Sequence, residues 1–388
     1  MTHEINFING FRAIAAFWVV TAHCVIWGYN GYSYLIPNPK LAVDIFMIVS
    51  GFLMALNVNF REAREPLHSP HTWLVFYIRR YFRLAPAYYF SLLMAVLLSE
   101  YFLAGYDSLM TINESFWPKN SGYDPKKISY SIENIMAHIT FVFGLIPKYA
   151  FSTMLPDWSL SLEMQFYFAF PFLYLAMQKW GHLRIGLLAS ILGWGLVKVI
   201  NEIIWLTGEG GGFPEPSILP MKIQYFVIGI LIYEIGYNKL LAKKDTFLYV
   251  ALALILSLME YKRYHYQVML LPLTVVVMLL LQNNQITWWP IKILRRFFAT
   301  KYLHIASDSS YAVYLFHGFF ISLSGLLLIN SSELMALHPF ARVSLMWVFV
   351  TFFSYLFAYI IFIAIEKPGI KLGKSVVTYF NRYQIKKN

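Results

Sequence analysis

The stretch Phe7–His23, FINGFRAIAAFWVVTAH, reads as a membrane-spanning helix with an arginine near its start and a histidine near its end. At about 100° per residue, the eleven steps from Arg12 to His23 make about three turns. Both side chains therefore fall on one helix face, separated by about 16 Å of rise. An ionisable side chain inside a span costs about 2.5–3.5 kcal/mol on insertion scales, so two on one stripe point to function. The structural alternative is that Arg12 snorkels to the headgroups and His23 is a satisfied interfacial histidine.

The rest of the chain has the same character. It is 59% hydrophobic, 19% aromatic and 13% charged, with a mean hydropathy of +0.55. Soluble domains carry about 25% charged residues, so this composition defines an integral membrane protein. The single cysteine, Cys24, excludes an intrachain disulfide and any cysteine-based zinc site. No cleavable signal peptide is expected, because the first apolar stretch is long and lacks a basic leader. The formal charge of +11 is explained by lysine and arginine gathered in cytoplasmic loops, without nucleic acid as a partner.

The expected fold is an all-α membrane bundle of about ten transmembrane helices. The spans read as about 8–28, 41–58, 84–104, 156–178, 184–206, 219–237, 246–260, 266–281, 308–329 and 341–365. A basic segment with Arg61, Arg64, Arg79, Arg80 and Arg83 precedes the third span. A long polar stretch, 105–155, follows that span, and a basic amphipathic linker covers 282–304. Residues 1–371 form one transmembrane domain and 372–388 a basic cytoplasmic tail. With the amino terminus inside, inner segments hold roughly 20 of the 31 lysines and arginines, which puts both termini in the cytoplasm. The run Gly210-Gly211-Gly212 lacks the context of a phosphate loop and reads as a turn.

This topology gives the polar residues a depth. His23 and Asp44, on antiparallel neighbours joined by a short loop, come to the same outer level. A carboxylate beside a histidine fixes its tautomer and stabilises the imidazolium, as a general base requires. Glu163, in PDWSLSLEMQFY, lies near the outer side of the fourth span, with Ser159 on its face at i, i+4. The alternative is that Asp44 and Glu163 pair with basic groups to hold the bundle together. On the inner side, Arg79 and Arg83 share a helix face and make a fork suited to phosphates; a plain positive-inside cluster is the competing reading. Ser310, Tyr314 and His317 form one stripe in SSYAVYLFH, and His317 lies near the bilayer centre. Glu366 reads as structural, with Pro368 ending the last span. His68 and His71 have no further ligand in view, so no metal site is expected.

These motifs together resemble the acyltransferase 3 family of membrane acyltransferases. The resemblance is carried by NGFRAIAAFWVVTAH, VDIFMIVSGF, RRYFRLAPAYY, WSLSLEMQFYFAFP, SSYAVYLFH and the late EKP, spread over nearly the whole chain. One departure is Asn9, where an aspartate is common. The absence of a soluble esterase-like domain after the last span suggests a stand-alone member. The resemblance implies an O-acyltransferase of the bacterial inner membrane, with acetyl the common acyl group. Acyl-CoA would donate on the cytoplasmic side, and a hydroxyl of a surface or lipid-linked glycan would accept on the other. His23 would be the catalytic histidine and Arg12 its partner, with Asp44 and Glu163 the supporting carboxylates. Arg79, Arg80 and Arg83, with Arg12, would meet the CoA phosphates. Ser310, Tyr311, Tyr314, His317, Trp158 and Ser159 are candidates for oxyanion or acceptor contacts. Direct transfer and an acyl-histidine intermediate both remain open. From another class, a proton-coupled exporter of an acylated or lipid-linked compound also fits a bundle with buried Arg, Asp, Glu and His.

Overall fold

The computed structural model describes residues 6–29, 38–113, 128–206, 213, 216–238, 241–259 and 269–385. The glycine run at 210–212 lies outside the described residues, as does much of the polar stretch after the third span. Among the described residues there are helices and no strands. In chain order these are α1 (Asn6–Gly28), α2 (Pro39–Arg61), α3 (Pro70–Leu97), α4 (Ser99–Ile112) and α5 (Ile132–Ile139). Then follow α6 (Trp158–Trp180), α7 (His182–Leu206), α8 (Ile223–Tyr237), α9 (Lys243–Ser257) and α10 (Leu270–Gln282). The chain closes with α11 (Trp289–Phe298), α12 (Lys301–Asp308), α13 (Ser310–Ile329), α14 (Pro339–Ile361) and α15 (Lys367–Ile385).

Six described helices are long and apolar enough to cross a membrane: α1, α2, α6, α7, α13 and the continuous run that begins with α14. The pair α3 and α4, bent by 77°, makes a seventh if it is one broken span. Helices α8 and α10 are apolar but only 15 and 13 residues long. The chain is thus a multi-pass α-helical membrane protein, with six such helices among the described residues, or seven with the bent pair, where ten were expected.

The structure corrects three boundaries. The arginine segment lies inside α3, which starts at Pro70 and runs through Pro86. A proline removes one donor and clashes locally, but a long apolar helix absorbs this as a bend. The expected linker at 282–304 contains two helices, α11 and the start of α12. Pro368 does not end the last span, because a π-helical turn, Phe362–Glu366, leads straight into α15. Proline is tolerated there because the π-turn just before it loosens the backbone inside one continuous helical run.

The chain forms two compact units. The first comprises Met1–Ala13, Leu41–Tyr77 and Trp158–Ser307; the second comprises Ile14–Lys40, Ile78–Asp157 and Asp308–Asn388. Helices α1 and α3 each run from one unit into the other. In the first unit, α8 is buried on every side from Tyr225 to Glu234, as expected for a helix that is apolar all round. Its backbone crosses α2 closely. A Cβ on Gly229 would come within 1.9 Å of the Ile48 carbonyl oxygen, and one on Gly51 within 2.1 Å of that of Phe226. Small residues at such a crossing let two helices pack where lipid offers no hydrophobic driving force. In the second unit, α13 packs on α4, with Ser322 Oγ donating to the Phe102 carbonyl at 2.8 Å.

Candidate active site

In the second unit the part of the α1 stripe that carries His23 meets α13. His317 Nε2 lies 3.1 Å from His23 Nδ1, with the ring centroids 5.0 Å apart. The hydrogen-bond partners are satisfied by one pair of neutral tautomers. His317 Nδ1 is 2.8 Å from the Tyr314 carbonyl and 3.2 Å from that of Val313, so it carries the proton and donates. The Nε2 of a neutral His317 is then an acceptor, and His23 Nδ1–H donates to it. His23 Nε2 is left with its lone pair, as a general base requires. His317 is buried, at 2% exposure. Helix α1 is held around this pair by Trp347 Nε1, which donates to Thr21 Oγ1 at 3.0 Å, and by Asn113 Nδ2, which donates to the Trp27 carbonyl at 2.7 Å.

The other candidates of this unit have distinct settings. Tyr311 donates its hydroxyl to the Leu84 carbonyl at 2.9 Å, tying α13 to the helix that bears the arginines. Ser310 and Tyr314 are buried. Arg79, Arg80 and Arg83 are partly buried along α3. Next to them, α15 crosses α3. A Cβ on Gly369 would lie 2.6 Å from Pro86 Cγ and 3.2 Å from the Phe82 carbonyl oxygen, and one on Gly373 would lie 2.6 Å from Phe82 Cβ. The Phe82 carbonyl is the one that Pro86, four residues on, cannot satisfy. The crossing thus falls at Pro86, just after the arginines.

In the first unit, Asp44 forms an ion pair with Lys222, Oδ1 to Nζ 2.9 Å, with both side chains almost wholly buried. Asp44, expected at the level of the His23 ring, makes this ion pair within the first unit, while His23, in the second, has its Nδ1 against the ring of His317. A buried carboxylate keeps its charge only with such compensation. Lys222 also lies 5.0 Å from the centroid of the Tyr225 ring. Glu163 Oε1 accepts from Ser50 Oγ at 3.2 Å and from the Tyr167 hydroxyl. This accounts for the serine before Gly51 in the second-span motif: the glycine admits α8, and the serine holds Glu163. Arg12, Trp158 and Ser159 lie on α1 and α6 in this unit, partly buried.

A further polar cluster was not foreseen. In the second unit Asp157 Oδ2 accepts from the Tyr88 hydroxyl at 3.0 Å and from Thr153 Oγ1 at 3.1 Å, and lies 3.5 Å from His138 Nε2. His138 Nδ1 is 2.9 Å from the Asn134 carbonyl, and the ring stacks on Phe143 with centroids 4.1 Å apart. Burial pushes the Asp157 carboxyl up, against the opposing pull of His138, Tyr88 and Thr153. This cluster fastens α5 to α3 directly before Trp158. Lys222, directly before α8, was also missed.

A histidine pair with one ring buried and one part-buried, set on two packed helices of a membrane protein, is an arrangement that can take a proton from a weak nucleophile. The sequence profile of the family described as "Acyltransferase domain" matches residues 5–363. The chain therefore belongs to the acyltransferase 3 family. It is similar to nose resistant to fluoxetine protein 6 of Caenorhabditis elegans, 28% identical over 57% of this chain and 28% of that one. It is similar to the peptidoglycan O-acetyltransferase OatA of Listeria monocytogenes, 28% identical over 52% of this chain and 28% of that one. It is also similar to the putative membrane-bound transacylase BcsY of Komagataeibacter xylinus, 27% identical over 60% of this chain and 52% of that one. The chain thus spans at most about half the length of these relatives. No solved structure matches it.

Proposed function

We propose that this protein transfers an acyl group, acetyl in the first instance, from acyl-CoA at the cytoplasmic face to a hydroxyl of a surface or lipid-linked glycan at the outer face of a bacterial inner membrane. The carrying observation is the His23–His317 pair, which leaves His23 Nε2 with its lone pair. Family membership supports acyl transfer, and the name of the OatA relative supports a glycan acceptor. The excess of lysine and arginine in one set of loops supports termini in the cytoplasm.

In this reading the acceptor hydroxyl attacks the thioester carbonyl as His23 Nε2 takes its proton. The new C–O bond forms, the C–S bond breaks, and the CoA thiolate leaves with the proton that His23 returns. The imidazolium formed on the way keeps its Nδ1–H on His317 Nε2, so His317 positions the base and steadies its charge. In the first unit Asp44 pairs with Lys222, and Glu163 is held by Ser50 and Tyr167. In the second unit Arg79, Arg80 and Arg83 are the cationic groups for the donor's phosphates.

The test is thiol release from acetyl-CoA by the purified, reconstituted protein with a glycan acceptor. His23→Ala is expected to remove release altogether, and His317→Ala to lower kcat about 100-fold with little change in donor KM. Arg79→Ala and Arg83→Ala are expected to raise donor KM with kcat nearly kept. A transporter would release no thiol in any of these proteins, and that result would sink the proposal. Parallel double-reciprocal plots would assign an acyl-histidine intermediate, and intersecting ones direct transfer.

A further inference from the structure

Helix α11, WPIKILRRFF, plays no part in the chemistry proposed above, yet it is built with two unlike faces. One face is buried: Ile291 is 3% and Phe298 4% exposed, and the Phe298 ring packs on Phe11 of α1 with centroids 5.0 Å apart. A Cβ on Gly10 would come within 1.9 Å of that ring, so the seat is made for it. The opposite face carries Trp289, Ile293 and Phe297 at intervals of four, exposed by 68%, 52% and 48%, with Trp288 before them at 62%. Lys292 and Arg296 run beside this stripe, also four apart and exposed.

The remaining basic residue of the helix sets its depth. The Arg295 guanidinium donates to the Leu280, Leu281 and Ile286 carbonyls at 2.9, 3.0 and 2.8 Å, and to that of Asn283 at 2.5 Å. The first two are among the last carbonyls of the apolar helix α10, which lack partners of their own. Arg295 thereby holds α11 at the level where an apolar helix ends, which in a membrane protein is the boundary of the hydrocarbon. A helix held there with tryptophan, isoleucine and phenylalanine outward has the composition of one lying in the interface plane.

We infer that α11 is a membrane-surface helix whose outward face binds anionic phospholipid. Trp289, Ile293 and Phe297 enter the acyl-chain boundary, and Lys292 and Arg296 meet the phosphates. The charge complementarity favours an anionic over a zwitterionic headgroup, since each basic side chain near such a surface changes partition about fivefold.

The test uses the full-length chain with Ile293→Cys carrying a small fluorophore, in phosphatidylcholine vesicles. A fraction of the lipid is replaced by brominated phosphatidylglycerol or brominated phosphatidylcholine. Cys24 is buried, so the unsubstituted protein serves as the labelling control. Both brominated lipids are expected to quench the label, and phosphatidylglycerol to do so at least about threefold more steeply. Lys292→Gln with Arg296→Gln, both at exposed positions, should bring the phosphatidylglycerol curve down to the phosphatidylcholine one and leave the latter unchanged. No quenching by either lipid, or equal quenching by both before the basic residues are changed, would overturn the inference. So would a phosphatidylglycerol preference that free CoA abolishes, because the basic pair would then serve a soluble phosphate.

Discussion

Asp44 and Lys222 are each almost fully buried, and neither is stable alone as an ion at that depth. Removing one partner of such a pair costs about 3–5 kcal/mol, whereas replacing both by neutral groups is often close to harmless. Asp44→Asn and Lys222→Met should each lower the thermal midpoint in detergent sharply, and the double variant should recover most of the loss. A double variant as unstable as the singles would show that the two act independently. Asp157 makes a pH-dependent prediction. Its carboxyl is pushed up by burial, so its stabilising contribution is complete below the unfolded pKa and is lost as pH rises through the folded value. The wild-type midpoint should fall as pH rises above the ordinary carboxylate range, and Asp157→Asn should flatten that fall. An equal fall in both proteins would exclude Asp157 as the source. At this scale the sequence was legible wherever an ionisable group interrupted an apolar run, as at His23, Glu163 and His317. Partners distant in the chain were not legible: a lysine at position 222 looks like any loop cation until α2 and α8 are packed together.

Helix α3 shows what holds an element in place. Its arginines were legible as a cluster, but Pro86 made them look as if they preceded the helix. The structure carries the helix through the proline and seats α15 against it. Gly369 and Gly373 lie where a side chain would strike Pro86 and Phe82. Gly373→Leu should therefore raise donor KM severalfold through displacement of the arginine-bearing turn, with kcat less affected. Adding Phe82→Ala should restore much of the loss by returning the space. Failure of Gly373→Leu to change donor KM, in protein where Arg83→Ala does change it, would show that α15 does not position the arginines. The tail was read as a basic extension, although its helix packs on α3 through a narrow glycine seam. Periodicity reports apolar stripes far better than seams of small residues.

On the scale of the whole molecule, composition alone was enough to assign an all-helical membrane protein, because 13% charged residues cannot coat a soluble fold of this length. The motifs were enough to suggest the family, and the match over residues 5–363 establishes it. The count of spans was harder to read, because α8, α9 and α10 are 15, 15 and 13 residues long and carry little polar punctuation. The division into two units was invisible, since α1 and α3 each run through both. The central claim is that this chain places acyl groups on a glycan hydroxyl with His23 as the base. It is tested most directly by the ester-linked acyl content of surface and secreted glycans from three strains: wild type, a deletion, and His23→Ala at matched expression. The account predicts that the esters disappear in the deletion and in His23→Ala alike, from the same glycan fraction. Esters lost in the deletion but retained in His23→Ala would contradict it, since the protein would then be required for the modification without His23 performing the transfer.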